Sequence, residues 1–283
     1  MLRYLKLFFL FLRIGSTHFG LLLKNLFHFT TIQSHKEIVV KKHGLPKGFP
    51  TVDLLDLFPA FNETVKNYTY LDGNSRVIDV AILMQLAKRY KDCVYLEIGS
   101  FRGESIVNIA PVAKECYSLS LSDEEMKKAG FAAYVPQNRF FSKHHKNITH
   151  IGHDSTTFDF STLNKKFDLI FVDGSHEYLP VAKDTANVFK LLRDENSVIV
   201  WHDCGDSYES VRWTVQAGIL DGCPLEAKNK IYRVSNSLCA IYTNEKLKTG
   251  FPAVPCIPEK VFEVTITGKS YFPQIAQIFA DKK

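Results

Sequence analysis

Residues 198–204 read VIVWHDC, four apolar residues that run directly into a histidine and an aspartate. The polar clusters RDENS before the run and CGDS after it bound a segment with the length and composition of a strand buried on both faces of a parallel sheet. Such a strand delivers its last side chains to the carboxyl edge of the sheet. In open α/β folds that edge is where the loops leaving the strands form the ligand crevice. His202 and Asp203 therefore mark one corner of a candidate site, and neighbouring strands should also end in chemistry.

Working outward, strand-like and helix-like segments alternate. VYLEIG (94–99), ESIVNIA, CYSLSL, DEEMKKAG, ITHIG, DLIFVDG, PVAKDTANVFKLLRD and SVIVWHD follow one another at α/β spacing. This order predicts a Rossmann-like, doubly wound, mostly parallel seven-stranded sheet with helices on both faces. IYRVS and LCAIYT flank a short SN turn and add a terminal antiparallel hairpin. Upstream, Ser75 is placed to cap a helix in which Val77, Val80, Ala81, Leu83, Ala87 and Tyr90 recur at helical spacing. The chain then divides into an amphipathic helical segment (1–35), a connecting arm rich in Pro and Gly (36–75), the α/β domain (76–245) and a C-terminal extension (246–283).

A composition of 46% hydrophobic and 23% charged residues over 283 positions provides ample material for a core. A net charge of +5, without an Arg/Lys stripe interleaved with aromatics, argues against nucleic acid as a partner. The six cysteines form no CxxC pair and no Cys/His zinc spacing, which suits a reducing cytoplasm.

The first thirty residues stand apart, with no acid before Glu37. On a helix, Arg3, Lys6, Arg13 and Lys24 fall within an arc of roughly 80°, opposite a Leu/Phe face. Arg13 interrupts the apolar run, so the segment does not read as a signal peptide. Two surfaces suit it. One is an anionic bilayer, which would place the protein peripherally on the inner face of the membrane. The other is a packing surface on the domain or on a second protomer of a homo-oligomer.

In LEIGSFRGES (96–105), Gly99 and Gly103 bracket a tight strand-to-helix loop whose N–H groups can approach a ligand, and Glu97 can accept a hydrogen bond from an amine. The loop is not GxGxxG, which demotes a nicotinamide cofactor. Taken with FDLIFVDGSHEY (167–178) and VIVWHDC, it resembles the class I S-adenosylmethionine-dependent methyltransferases. The branch it is most similar to is methyltransferase family 24, which shows an Asp-Gly-x-His-x-Tyr segment and then a strand ending in His-Asp. The resemblance spans residues 76–243.

The resemblance implies S-adenosylmethionine as cofactor and a hydroxyl of a small molecule or glycan as acceptor. Glu97, Gly99, Ser100 and Gly103 would hold the methionine and ribose portions, and Asp154 with Ser155 the adenine. The family usually ends its second strand with an acid for the ribose. Here CYSLSLSDEE offers Ser118 and Ser120, and no carboxylate before Asp123. Either Asp123 reaches back, or serine (Ser120) and water take over.

If the fourth and fifth strands are neighbours, Asp173, His202 and Asp203 converge. One reading places a divalent metal on these three, with manganese, iron or zinc accepting a histidine more readily than magnesium. The other makes His202 or His176 a general base oriented by Asp173 or Asp203. A non-catalytic, membrane-associated scaffold is the alternative to an enzyme. Polar groups kept together at strand mouths favour the enzyme.

Overall fold

The computed structural model describes residues 18–270; the chain divides into a unit ending at Pro252 and a second unit from Ala253 onward. Arg3, Lys6 and Arg13 lie outside the described residues. The first unit opens with α1 (Phe19–Glu37), β1 (Thr51–Val52), α2 (Leu54–Leu57), α3 (Val77–Ala87), β2 (Val94–Ile98), α4 (Ile106–Ile109), β3 (Glu115–Ser120) and α5 (Asp123–Lys128). It continues with β4 (Ile148–Gly152), β5 (Leu169–Val172), α6 (Tyr178–Phe189), β6 (Val198–Trp201), α7 (Trp213–Gly222), β7 (Ile231–Val234), β8 (Ala240–Tyr242) and β9 (Thr249–Gly250).

All nine strands form one sheet in the order β4-β3-β2-β5-β6-β8-β7-β1-β9. From β4 to β6 the pairing is parallel, and β8 then runs antiparallel to both β6 and β7. Because β2 pairs with both β3 and β5, the strand order reverses there and a crevice opens at the carboxyl ends.

The apolar runs explain the layering. VYLEI, LIFV and VIVW are buried along their whole length, so each strand must be covered on both faces. Leu96, Ile98, Ile170, Val172, Ile199 and Trp201 face one core cluster, shared with Val181 and Val188 of α6 and Ile219 and Leu220 of α7. Tyr95, Leu169, Phe171, Val198 and Val200 face the opposite cluster with Ile82, Leu83 and Leu86 of α3 and Ile106 of α4. Trp201 belongs to the core, its Nε1 donating to Thr185 Oγ1 at 3.0 Å.

Two features differ from the sequence expectation. The sheet has nine strands rather than seven, because the arm contributes β1, parallel to β7, and Thr249–Gly250 pairs antiparallel with β1 as β9. Strands of two residues carry no alternation that a sequence pattern could reveal. Ser75 does not cap α3: the N-cap position is Arg76, whose main-chain N–H donates to Asp79 at 3.1 Å, while Ser75 Oγ donates to Asp173 Oδ2 at 3.0 Å.

Helices α6 and α7 approach closely through glycine. A Cβ on Gly218 would lie 2.7 Å from the Tyr178 carbonyl oxygen and 2.9 Å from Val181 Cβ. Gly→Ala inside a helix ordinarily stabilises by about 1 kcal/mol. Here Gly218→Ala is expected to destabilise by about 1–3 kcal/mol, because main chain cannot move aside as a side chain can. Urea denaturation checks the sign.

Candidate active site

His202 follows β6 and is the buried centre of the site. Its Nε2 lies 2.9 Å from Asp79 Oδ2, and its Nδ1 lies 3.2 Å from both Asp173 Oδ1 and Asp203 Oδ2. Asp79, fully buried on α3, is fixed in turn by the Leu238 N–H at 3.1 Å. Burial opposes a charge on His202, yet Asp173, Asp203 and Asp79 outweigh it and hold the imidazole pKa well above its ordinary value.

A second ring closes the cluster from the solvent side. His176 Nε2 lies 2.6 Å from Asp203 Oδ2 and 4.0 Å from Asp173 Oδ1, with the side chain half exposed. Hydrogen bonds to Asp173 and Asp203 raise His176 to about 9 against the desolvation that lowers it. Arg212 Nη1 adds a cation 3.2 Å from Asp203 Oδ1. Burial acts to raise Asp173 and Asp203, but the two histidines outweigh it and leave both carboxyls below their ordinary range. Asp203 holds this place with φ +55°, a left-handed conformation that costs a non-glycine residue about 1–3 kcal/mol.

The expected catalytic residues Asp173, His176, His202 and Asp203 are thus brought together. The expected metal set changes by one member: among the described residues, Asp173, His176 and Asp203 present ligand atoms within 4.8 Å of one another. His202, expected in that set, has its ring enclosed between Asp79 and the other two acids.

On the cofactor side, Glu97 is buried and accepts hydrogen bonds from Ser105 Oγ at 2.7 Å and Tyr95 OH at 2.8 Å. Burial raises it to about 7 against those bonds. Gly99, at φ +97°, is required for a reason the sequence did not show. A Cβ there would overlap the main chain of Asp173 and Gly174, so this glycine lets the mouths of β2 and β5 meet. Ser100 is buried beside it, and Gly103, at φ +82°, makes room for Ser142.

Asp154 closes a turn, its Oδ1 accepting from Thr156 N and Oγ1 at 2.8 Å. Ser155 hydrogen-bonds to Asp184, a buried acid of α6 that desolvation raises to about 6. Asp184 is buried, its Oδ2 3.7 Å from where a Cβ on Gly174 would sit. Asp123 is exposed and accepts from Asn138 Nδ2 at 2.8 Å. It does not reach back to the end of β3, where Ser120 stands instead.

Sequence reasoning missed the arm. Tyr68, Asn74 and Ser75 line a small cavity with Gly99, Arg102 and Asp173. Arg102 holds this segment through the Asp72 carbonyl at 2.9 Å and the Asn74 side chain, while Glu104 accepts from Thr69 N at 2.8 Å. Asn108 binds both the N–H and the carbonyl of Lys66, at 2.7 and 2.6 Å. These are contacts across 28 to 42 positions of chain, invisible to local periodicity. Asp79 was hidden similarly, as a polar position within an apolar helix.

A reversed parallel sheet with a glycine loop after β2, and acids at the mouths of β5 and β6, is an α/β architecture whose ligand crevice lies at the carboxyl edge. The family described as "Methyltransferase domain", methyltransferase family 24, matches residues 96–204. Over those residues the chain is similar to the class I methyltransferases, a family whose members use S-adenosylmethionine.

An uncharacterised protein, R132, of Acanthamoeba polyphaga mimivirus is 27% identical over 199 residues, 65% of this chain and 77% of its own length. The O-methyltransferase of Bacillus cereus, solved with S-adenosylhomocysteine, is 15% identical, with a TM-score of 0.43 over 62% of this chain and 84% of that one. Podospora anserina methyltransferase PaMTH1 is 18% identical, with a TM-score of 0.43 over 63% and 83%. This chain spans 49% to 63% of three other matched structures.

Two variants test this geometry. Asp79→Asn removes one carboxylate from a buried charged ring, and such losses cost about 3–5 kcal/mol. Because the His202 pKa is raised on folding, its stabilisation is complete below the unfolded value of about 6.5 and fades as pH rises through the folded value. In Asp79→Asn that fade should begin at lower pH, as thermal melts across a pH series would show. Gly99→Ala should lower the melting temperature as well as ligand binding, since its Cβ meets protein before it meets ligand.

Proposed function

We propose that this domain transfers the methyl group of S-adenosylmethionine to the hydroxyl of a polar small molecule or saccharide, with His176 as the general base. The observation that carries the reading is the 2.6 Å pairing of a half-exposed imidazole with an acid in a strained conformation, backed by a buried charged ring. The donor fits the residues present: Glu97, Ser100 and the loop bracketed by Gly99 and Gly103 would hold its methionine end, and the turn at Asp154 and Ser155 its adenine. When bound, it supplies an electrophilic methyl group on a sulfonium.

The chain's own residues do the rest. Ser75 and His202 hold Asp173, and His202 also faces Asp203, so neither acid is free to rotate. Those acids orient His176 toward the open mouth, where it would take the acceptor proton as the methyl is transferred. The arm, pinned by Arg102 and Glu104, would exclude water on the donor side.

Since only neutral His176 can accept a proton, the rate should rise with pH through an inflection near 9. Asp203→Asn, which removes the nearer carboxylate, should move that inflection toward about 6.5 and leave affinity for S-adenosylhomocysteine nearly intact. Transfer of labelled methyl to a panel of hydroxyl acceptors across pH provides the measurement. Loss of the rate in chelator and its return with manganese would instead assign Asp173, His176 and Asp203 to an ion, as their spacing allows.

The amino-terminal helix supports a membrane role. Phe19, Leu21, Leu26, Phe27 and Phe29 are all more than half exposed on α1, while its last turns are held to the domain by His35, 3.1 Å from Thr214 Oγ1 and stacked on Tyr178. No helix among the described residues is long and apolar enough to cross a membrane. With four cations and no acid in its first thirty residues, the complementary occupant is an anionic bilayer surface on which the segment lies. Full-length protein should sediment with anionic vesicles, less so when Arg13 and Lys24 become Glu. Unchanged binding in that variant, or a dimer that dissociates when residues 1–30 are removed, would make the helix a protein contact.

A further inference from the structure

The end of β3 carries serines where the methyltransferases that this chain resembles place an acid. Ser118 and Ser120 project from one face of β3, and their register partners on β4 are His150 and Gly152. Glu97 on β2 stands opposite Ser118, so Glu97, Ser118 and His150 form a row across the sheet, with Ser120 and Gly152 one step nearer the mouth.

The segment around 139–142 crosses above this row. Arg139 N donates to the Phe101 carbonyl at 2.7 Å, Phe141 N donates to the Arg102 carbonyl at 2.9 Å, and Ser142 packs on Gly103. Arg139 itself has φ +57°, and its Nη2 lies 3.1 Å from where a Cβ on Gly152 would be. A cation therefore lies over the strand ends where a carboxylate was expected, while Asp123 is turned outward to Asn138.

Several polar groups at this corner lack partners within the protein, the ring nitrogens of His150 among them. Arg139 Nε and Nη2, with the hydroxyls of Ser118, Ser120 and Ser142, are five of the twelve buried side-chain N and O atoms without a hydrogen-bond partner among the described residues. Ser118 and Ser142 are completely buried. Burial lowers the His150 pKa, which favours the neutral ring beside the guanidinium. Buried donors without acceptors are costly, and several on one patch call for a ligand rich in hydroxyl or carbonyl oxygens.

We propose that Arg139, assisted by Ser120, binds the ribose hydroxyls of the methyl donor and its demethylated product, replacing a carboxylate that accepts with a guanidinium that donates. The proposal rests on the methyl-donor reading above. Ribose hydroxyls suit this set because they can accept from the guanidinium edge and also donate to the serine oxygens, which a phosphate oxygen cannot.

Calorimetry with S-adenosylhomocysteine on the full-length protein provides the test. Arg139→Met should weaken binding tenfold or more, Arg139→Lys less, and neither should shift the melting temperature of the unliganded protein by more than a few degrees. S-adenosylhomocysteine lacking the ribose 2′- and 3′-hydroxyls should bind the wild type weakly and bind Arg139→Met no more weakly than that. If Arg139→Met proves unstable, Arg139→Lys compared on the two ligands gives the same coupling. Equal affinity of wild type and both variants for S-adenosylhomocysteine would overturn the assignment while leaving the methyl-donor reading standing. Inorganic phosphate binding that is lost in Arg139→Met, with S-adenosylhomocysteine unaffected, would also overturn it, making the corner an anion site. A wild type that binds no S-adenosylhomocysteine removes the donor reading itself.

Discussion

Everything at the mouth of this sheet is organised around His202, an imidazole buried among three carboxylates. Such a group is unstable alone, since burial removes hydration from a charge. Its partners make it tolerable, and each arrives on a different element: Asp79 from α3, Asp173 from the loop after β5, Asp203 from its own loop after β6. Satisfying one ring therefore fixes three segments at once. Ser75 then ties the arm to Asp173, and His176 ties the segment before α6 to Asp203.

This arrangement separates support from reactivity. His202 is enclosed, and the acids around it favour its charged form, which suits it to position them. His176 meets the same acids but is half exposed, and of the two rings it is the one open to solvent. The strained backbone of Asp203 fits that division, because one carboxyl must face both rings while Arg212 holds its other oxygen. The cofactor side shows the same economy of space. Gly99 brings β2 against the end of β5, and the arm is laced to the loop by Arg102, Glu104 and Asn108, so the glycine loop and the acid cluster share walls.

The sheet itself was legible because each long strand is a continuous apolar run, which burial on both faces demands and which few other structures produce. The mouth residues Asp173, His202 and Asp203 followed from where those runs stop, and the glycine loop from its position after the first of them. Helix α3 was also readable from its spacing, although Asp79 within it looked like an ordinary polar position.

Sequence could not assign partners, because partnership here is a matter of distance between segments far apart in the chain. Which histidine is enclosed and which is open depends on α3 packing over β6, 123 positions away from Asp79 in sequence. That Asp123 turns outward and Arg139 turns inward depends on how residues 138–142 cross the loop after β2. The sequence alone determined the alternation of strands and helices and which polar residues would emerge at one edge, because hydrophobic periodicity is local. The tertiary structure alone decided their protonation, their pairing and the role of the arm, because burial and charge proximity exist only once the segments have met.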